Sequence, residues 1–149
     1  MQLSQITKIA LIQARKAFAK REVPVGAVIF NKDRIISKAY NMIICKSDPI
    51  GHAEIIALKR ATKKLKTTNL MNYSLYVTLE PCMICSYIIA KFKVGYLYFG
   101  AYDIRNGSIH NGTQVFLNEK NIHIPEVFGG IGEKESKELL DEFFKKIRK

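Results

Sequence analysis

Pro81-Cys82-Met83-Ile84-Cys85 follows directly on a strand-like run, Leu75–Leu79, and opens a helical pattern that continues to Phe92. Proline lacks an N–H, which costs nothing at a first helical position, and it keeps the preceding Glu80 extended. The strand therefore has to stop and the helix has to start at this point. Cys82 and Cys85, three residues apart, lie on one face of the first turn. A helix N-terminus stabilises thiolates, the ligand form of cysteine. The chain contains three cysteines, an odd number, and in a cytosolic chain the Cys82–Cys85 spacing favours metal or redox chemistry over a structural disulfide.

The rest of the chain supplies a sheet to hold that strand. Leu3, Ile6, Ile9, Ala10, Ala14, Ala17 and Phe18 recur at helical spacing and predict a helix over 3–20. Val25–Phe30 reads as a strand, Asn31-Lys32-Asp33 as a turn, and Arg34–Tyr40 as the hairpin partner. Asp48-Pro49-Ile50-Gly51 breaks the chain before a second helical pattern, His52 to Lys64. Val94–Phe99 is strand-like, a loop-rich stretch carries Gly107 and Gly112, and a weak strand is expected at 122–127. Glu133–Lys149 reads as a basic amphipathic helix. Strands alternating with helices predict an α/β fold of three layers, a central sheet covered by helices. The opening hairpin makes that sheet mixed.

The break before His52 carries chemical weight. In mid-helix His52 and Glu54 would point about 200° apart and could not share a small site. At a first turn, where the backbone has not yet settled, both side chains can face one centre. His52, Cys82 and Cys85 together suit Zn²⁺, with a fourth position left open for water. Such an ion acidifies water, and Glu54 is placed to carry the proton to a ring nitrogen and to departing ammonia. A competing arrangement adds Cys45 and closes a structural Cys₃His site, which would leave Glu54 without a role.

His52-Ala53-Glu54 followed by Pro81-Cys82-Met83-Ile84-Cys85 matches the signature of zinc deaminases that act on nucleobases. The likeness extends through Arg21-Glu22-Val23-Pro24-Val25-Gly26-Ala27-Val28, Asp48-Pro49, Tyr76-Val77-Thr78-Leu79-Glu80, Gly100-Ala101-Tyr102-Asp103 and Leu139-Leu140-Asp141-Glu142-Phe143-Phe144. Over nearly its whole length the chain resembles the bacterial tRNA-specific adenosine deaminases. The resemblance implies a cytidine-deaminase-like fold with a five-stranded mixed sheet, here one domain over residues 1–149. It also implies one Zn²⁺ per subunit, a homodimer, and conversion of the wobble adenosine of a tRNA anticodon to inosine. Glu54 would be catalytic and His52, Cys82 and Cys85 the metal ligands. Asn41 would hydrogen-bond the extruded purine, Val25 and Leu79 would wall it, and Ala53 would offer backbone contacts. Asp103, Phe143 and Phe144 would lie against the RNA of the anticodon stem-loop. The sequence departs from the family pattern at Met42-Ile43 and over 104–111, both expected to border the RNA.

Charge is consistent with a polyanionic partner. The chain has 24 basic and 13 acidic residues, a net +11, and such a field draws in nucleic acid. Lys59, Arg60, Lys63, Lys64 and Lys66 form one basic group, and Lys145, Lys146, Arg148 and Lys149 another. Only the second falls where the resemblance puts RNA. No apolar run approaches the roughly 20 residues that span a bilayer, and Met1-Gln2-Leu3-Ser4-Gln5 does not read as a secretory signal. No membrane association is expected, and a cytoplasmic location is. Two rival readings remain at this level: a deaminase of a free base or nucleoside (guanine or cytosine type), and a non-catalytic, zinc-stabilised RNA-binding subunit.

Overall fold

The computed structural model describes residues 1–148. In chain order the elements are α1 (Leu3–Ala19), β1 (Gly26–Phe30), β2 (Ile35–Tyr40), α2 (Ala53–Leu65), β3 (Ser74–Leu79), α3 (Met83–Lys91), β4 (Tyr96–Ala101), α4 (Val115–Asn118), β5 (Glu126–Phe128) and α5 (Glu133–Ile147). The five strands form one sheet in the order β2-β1-β3-β4-β5. β1 runs antiparallel to both β2 and β3, whereas β3, β4 and β5 run parallel. The expected mixed sheet and α/β architecture are therefore present.

Strand alternation separates two apolar layers. Ala27 and Ile29 of β1, Leu75 and Val77 of β3, and Leu97 and Phe99 of β4 point to one face, where they meet Ala57, Leu58 and Ala61 of α2 and Ile89 and Ala90 of α3. Val28, Phe30 and Tyr76 point to the other face, against Ile6 and Ala10 of α1. α5 closes beside α1, with Phe18 and Phe143 edge to face at 5.6 Å. This is the three-layer arrangement. It places the N-termini of α2 and α3 side by side on the same face of the sheet.

Entry into β1 depends on Gly26. A Cβ at this position would run into the carbonyl of Ala10 and the amide of Ala14 in α1, while the Gly26 N–H donates to Thr78 Oγ1 at 3.1 Å. The helix backbone cannot withdraw without lifting Ile6 and Ala10 off the sheet. Gly26→Ala is expected to cost about 2–3 kcal/mol, within the range for overpacked cores. Thermal melting would register this as a fall of about 5–10 °C.

Several boundaries differ from expectation for identifiable reasons. α3 begins at Met83 rather than Pro81, because Cys82 is held extended by a bridge to Gly107. β4 begins at Tyr96, since the Gly95 N–H turns back to the carbonyls of Leu70 and Tyr73. The loop-rich stretch contains the short helix α4, and β5 is only Glu126–Phe128. α5 ends at Ile147, and Lys149, included in the expected last helix and basic cluster, lies outside the described residues. Among the described residues no helix is long and apolar enough to cross a membrane.

Candidate active site

His52 and Cys82 are the N-caps of α2 and α3, with extended backbones and no capping hydrogen bond from either side chain. Each side chain is thus free to turn toward the other helix start. Cys85 follows in the first turn of α3, buried, and the three ligand atoms lie within 4.8 Å of one another. His52 Nδ1 is 3.7 Å from Cys82 Sγ and 3.3 Å from Cys85 Sγ. With Zn–S at 2.3 Å and Zn–N near 2.0 Å, a tetrahedral ion separates a nitrogen and a sulfur ligand by about 3.6 Å. The spacing and the softness of the donor set both fit a divalent ion such as zinc.

The protonation pattern leads to the same fit. The Cys82 thiol is pulled down to about 4, first by the hydrogen bond from Cys85 and then by His52, against the effect of burial. Cys85 keeps its proton, pushed upward by that same bond and by burial. One thiolate thus forms readily, and a bound cation would favour release of the second proton. The His52 ring is raised, chiefly through Cys82. Two helix N-termini add their positive dipole ends to this centre.

Glu54, the second residue of α2, is 4% exposed and sits beside the His52 ring and the Cys85 thiol. Burial pushes its carboxyl above the usual range, and its own backbone N–H and His52 offset this in part. Asn41 is buried at the end of β2, and its Oδ1 accepts the Ala53 N–H at 2.8 Å. That bond fixes the amide orientation and leaves Nδ2 as the donor available to a ligand. It also occupies the Ala53 N–H, so Ala53 does not offer that proton to a substrate. Val25 is buried, and its carbonyl accepts the Asn41 N–H at 3.2 Å, while Leu79 is half-buried at the end of β3. Asn41, Val25, Ala53 and Leu79 therefore cluster around the start of α2 and the end of the β1–β3 pair.

The outer residues differ in exposure and in what they touch. The Asp103 carboxylate turns into its own loop, where Oδ1 accepts the Arg105 and Asn106 N–H groups at 3.1 and 3.0 Å. Phe143 is buried against Phe18, because the apolar stripe of α5 has to cover α1. Phe144 is 40% exposed. Cys45 is exposed and stands apart from the three-ligand group, so the closed Cys₃His arrangement is not formed. Cys45→Ser is accordingly expected to retain full metal content and an unchanged melting temperature, checked by elemental analysis and calorimetry.

Two residues had no assigned role in the sequence. Glu22, 1% exposed, accepts the N–H groups of Ile43, Ile44 and Cys45 at 2.8–3.1 Å. Glu80, 2% exposed, accepts those of Asp103, Ile109, His110 and Asn111 at 2.9–3.1 Å, with Asn111 Nδ2 at 2.7 Å. Burial alone would raise both carboxyls, yet these donors outweigh it and hold both below the usual range. The signal available in the sequence was an acid at the edge of an apolar stretch, Glu22 before Val23-Pro24-Val25 and Glu80 after Val77-Thr78-Leu79.

A tRNA-specific adenosine deaminase of Rickettsia bellii is 43% identical over 141 residues, covering 93% of this chain and 97% of the relative. The chain belongs to this deaminase family. The model of MafB19-like deaminases matches residues 1–148. A solved structure from work on A-to-I editing by tRNA:A34 deaminases at the wobble position of transfer RNA superposes with a TM-score of 0.88 at 35% identity. It is aligned over 91% of this chain and 99% of its own. A guanine deaminase of Nitrosomonas europaea, 21% identical, shares the fold with a TM-score of 0.82 over 95% of this chain and 84% of its own. In this deaminase a His–Cys–Cys group that could hold a metal and a buried acid stand together.

Proposed function

We infer that this chain hydrolyses the amino group of adenosine to give inosine at the wobble position of a tRNA anticodon. The observation that carries the chemistry is the buried Glu54 beside three soft donors at two converging helix starts. Kinship to tRNA-specific adenosine deaminases and the net charge of +11 support an RNA-borne substrate.

His52, Cys82 and Cys85 would hold one Zn²⁺ per subunit. When bound, the ion supplies Lewis acidity and lowers the pKa of water. The remaining steps belong to the protein. Glu54 takes up the first proton that water loses and delivers it to a ring nitrogen of the purine; it then takes the second proton, from the oxygen now bonded to the ring carbon, and passes it to the amino group, which leaves as ammonia. Water contributes the oxygen that replaces nitrogen on the ring carbon. Asn41 Nδ2 donates to a ring acceptor, while Val25 and Leu79 flank the base and the Ala53 backbone lies beside it. An anticodon loop already holds its bases partly unpaired, so extruding one adenosine costs little. Phe144, Lys145, Lys146 and Arg148 at the end of α5 are exposed and suited to the RNA backbone and bases. Asp103 would lie beside the RNA in the loop that its carboxylate caps.

The same reading includes a homodimer. Met83, Ile84 and Tyr87 on α3 are 49%, 45% and 39% exposed, and Ile104 and Leu117 are 85% and 75% exposed. An apolar face of this kind, beside the metal-binding helix, suits a second copy of the chain.

The test is incubation of purified protein with an RNA hairpin bearing an anticodon-loop adenosine, with inosine read by mass spectrometry. Inosine is the expected product, absent with Glu54→Gln. Ammonia from free guanine or cytosine, with no inosine in the hairpin, would replace the substrate and keep the chemistry. Light scattering on the same sample is expected to give twice the 17.0 kDa chain mass.

A further inference from the structure

Two loops flank the ligand-bearing helix starts, and each is closed over one buried carboxylate. The segment 42–51 leads into His52 and is drawn shut where the Met42 N–H meets the Gly51 carbonyl at 2.8 Å. Three consecutive amides of this loop, Ile43, Ile44 and Cys45, converge on Glu22. The segment 103–111 leans on the strand end before Cys82, where the Ser108 N–H donates to the Pro81 carbonyl at 3.0 Å and Gly107 bridges to Cys82. Three consecutive amides of this second loop, Ile109, His110 and Asn111, converge on Glu80 Oε2, and Asp103 N–H donates to Oε1. A Cβ on Gly107 would collide with the Glu80 carboxyl, so the loop wraps the acid closely. Successive backbone amides turned inward form an anion nest. Here the anion is supplied by the chain itself, twice, at the two loops nearest the candidate metal centre.

We propose that Glu22 and Glu80 are a matched pair of positioning residues that set the two loops framing the site and thereby determine how an RNA-borne base is presented to it. This rests on the RNA reading above. Neither acid touches substrate. Each acts through loop amides that would otherwise stay unpaired or turn outward. The loops carry the side chains most exposed near the site, Ile44 and Ile104 among them. A shift of the amides at 43–45 or 109–111 displaces the RNA, while the Met42–Gly51 closure and the Gly107–Cys82 bridge keep the donors in place.

The experiment compares Glu22→Ala, Glu22→Gln, Glu80→Ala and Glu80→Gln with the unaltered full chain. Elemental analysis reports metal content, hydrogen exchange reports loop amides, and steady-state kinetics use the RNA hairpin. For the Ala variants the expected result is full metal content, lost protection confined to 43–45 or to 103 and 109–111, and KM raised about tenfold or more with kcat within about threefold. Gln keeps one acceptor oxygen and should recover part of the KM. Unchanged KM in folded, metal-replete variants would overturn the proposal, as would a loss carried by kcat alone. Should an Ala variant fail to fold, the Gln variant decides by the same criteria. Should the unaltered chain leave the hairpin unmodified, the RNA reading falls on that arm. Hairpin affinity by fluorescence anisotropy then judges the loops, and affinity equal across all five proteins overturns the pair.

Discussion

Glu54→Gln is expected to lower turnover on the RNA hairpin by about a hundred- to ten-thousandfold while fold and metal content stay intact. The magnitude is that of a positioned general acid–base group. Gln matches Glu in size and fills the same buried place, so packing around Ala53, Ile55 and Leu58 should survive. It cannot accept and return a proton. The change should appear in kcat, with KM for the hairpin little altered, because Glu54 acts on protons in flight rather than on the RNA. Two measurements decide it: single-turnover inosine formation, and elemental analysis of the same preparation. A variant that turns over normally would remove Glu54 from the mechanism. A variant that loses its metal would show instead that the acid holds the site together.

Cys85→Ser is expected to abolish both metal binding and activity. Serine places a hydroxyl of far higher pKa where a thiolate is needed, and the remaining two donors cannot retain the ion against competition. Cys85 is fully buried between the α2 and α3 starts, so a polar group without a cation there also costs stability. The unaltered protein should show the same dependence through ligand linkage. An ion present at 1,000 times its dissociation constant contributes about 4 kcal/mol, and stripping it with a strong chelator should lower the melting temperature by about 8–16 °C. Restoring zinc should return both stability and inosine formation in the unaltered protein, and neither in Cys85→Ser. Chelation without effect on melting or turnover would exclude a resident metal.

The two acids Glu22 and Glu80 mark a limit of pattern reading. In sequence each is one carboxylate next to an apolar run, a feature compatible with a solvated strand end. Their partners lie 21 to 31 residues away and are backbone amides, which carry no signature of residue type. The reverse holds for Phe143 and Phe144, where adjacent identical residues could not be told apart until the helix was set against α1. Rotation by about 100° per residue then buries one and exposes the other.

The chain by itself determined the elements and the chemistry that they carry. Period-two and helical repeats define where strands and helices lie, because each element must bury one apolar face. The Pro-led thiol pair and the His-Ala-Glu fragment declare a soft metal site with an acid, because ligand chemistry depends on residue type and local spacing. Only the tertiary structure decided that His52 and Cys82 are both helix caps, that Cys45 stays outside, that Asn41 spends its oxygen on Ala53, and that two buried glutamates hold the flanking loops. Those outcomes depend on which segments the sheet brings side by side. That choice is made by the whole core at once, not by any stretch of it.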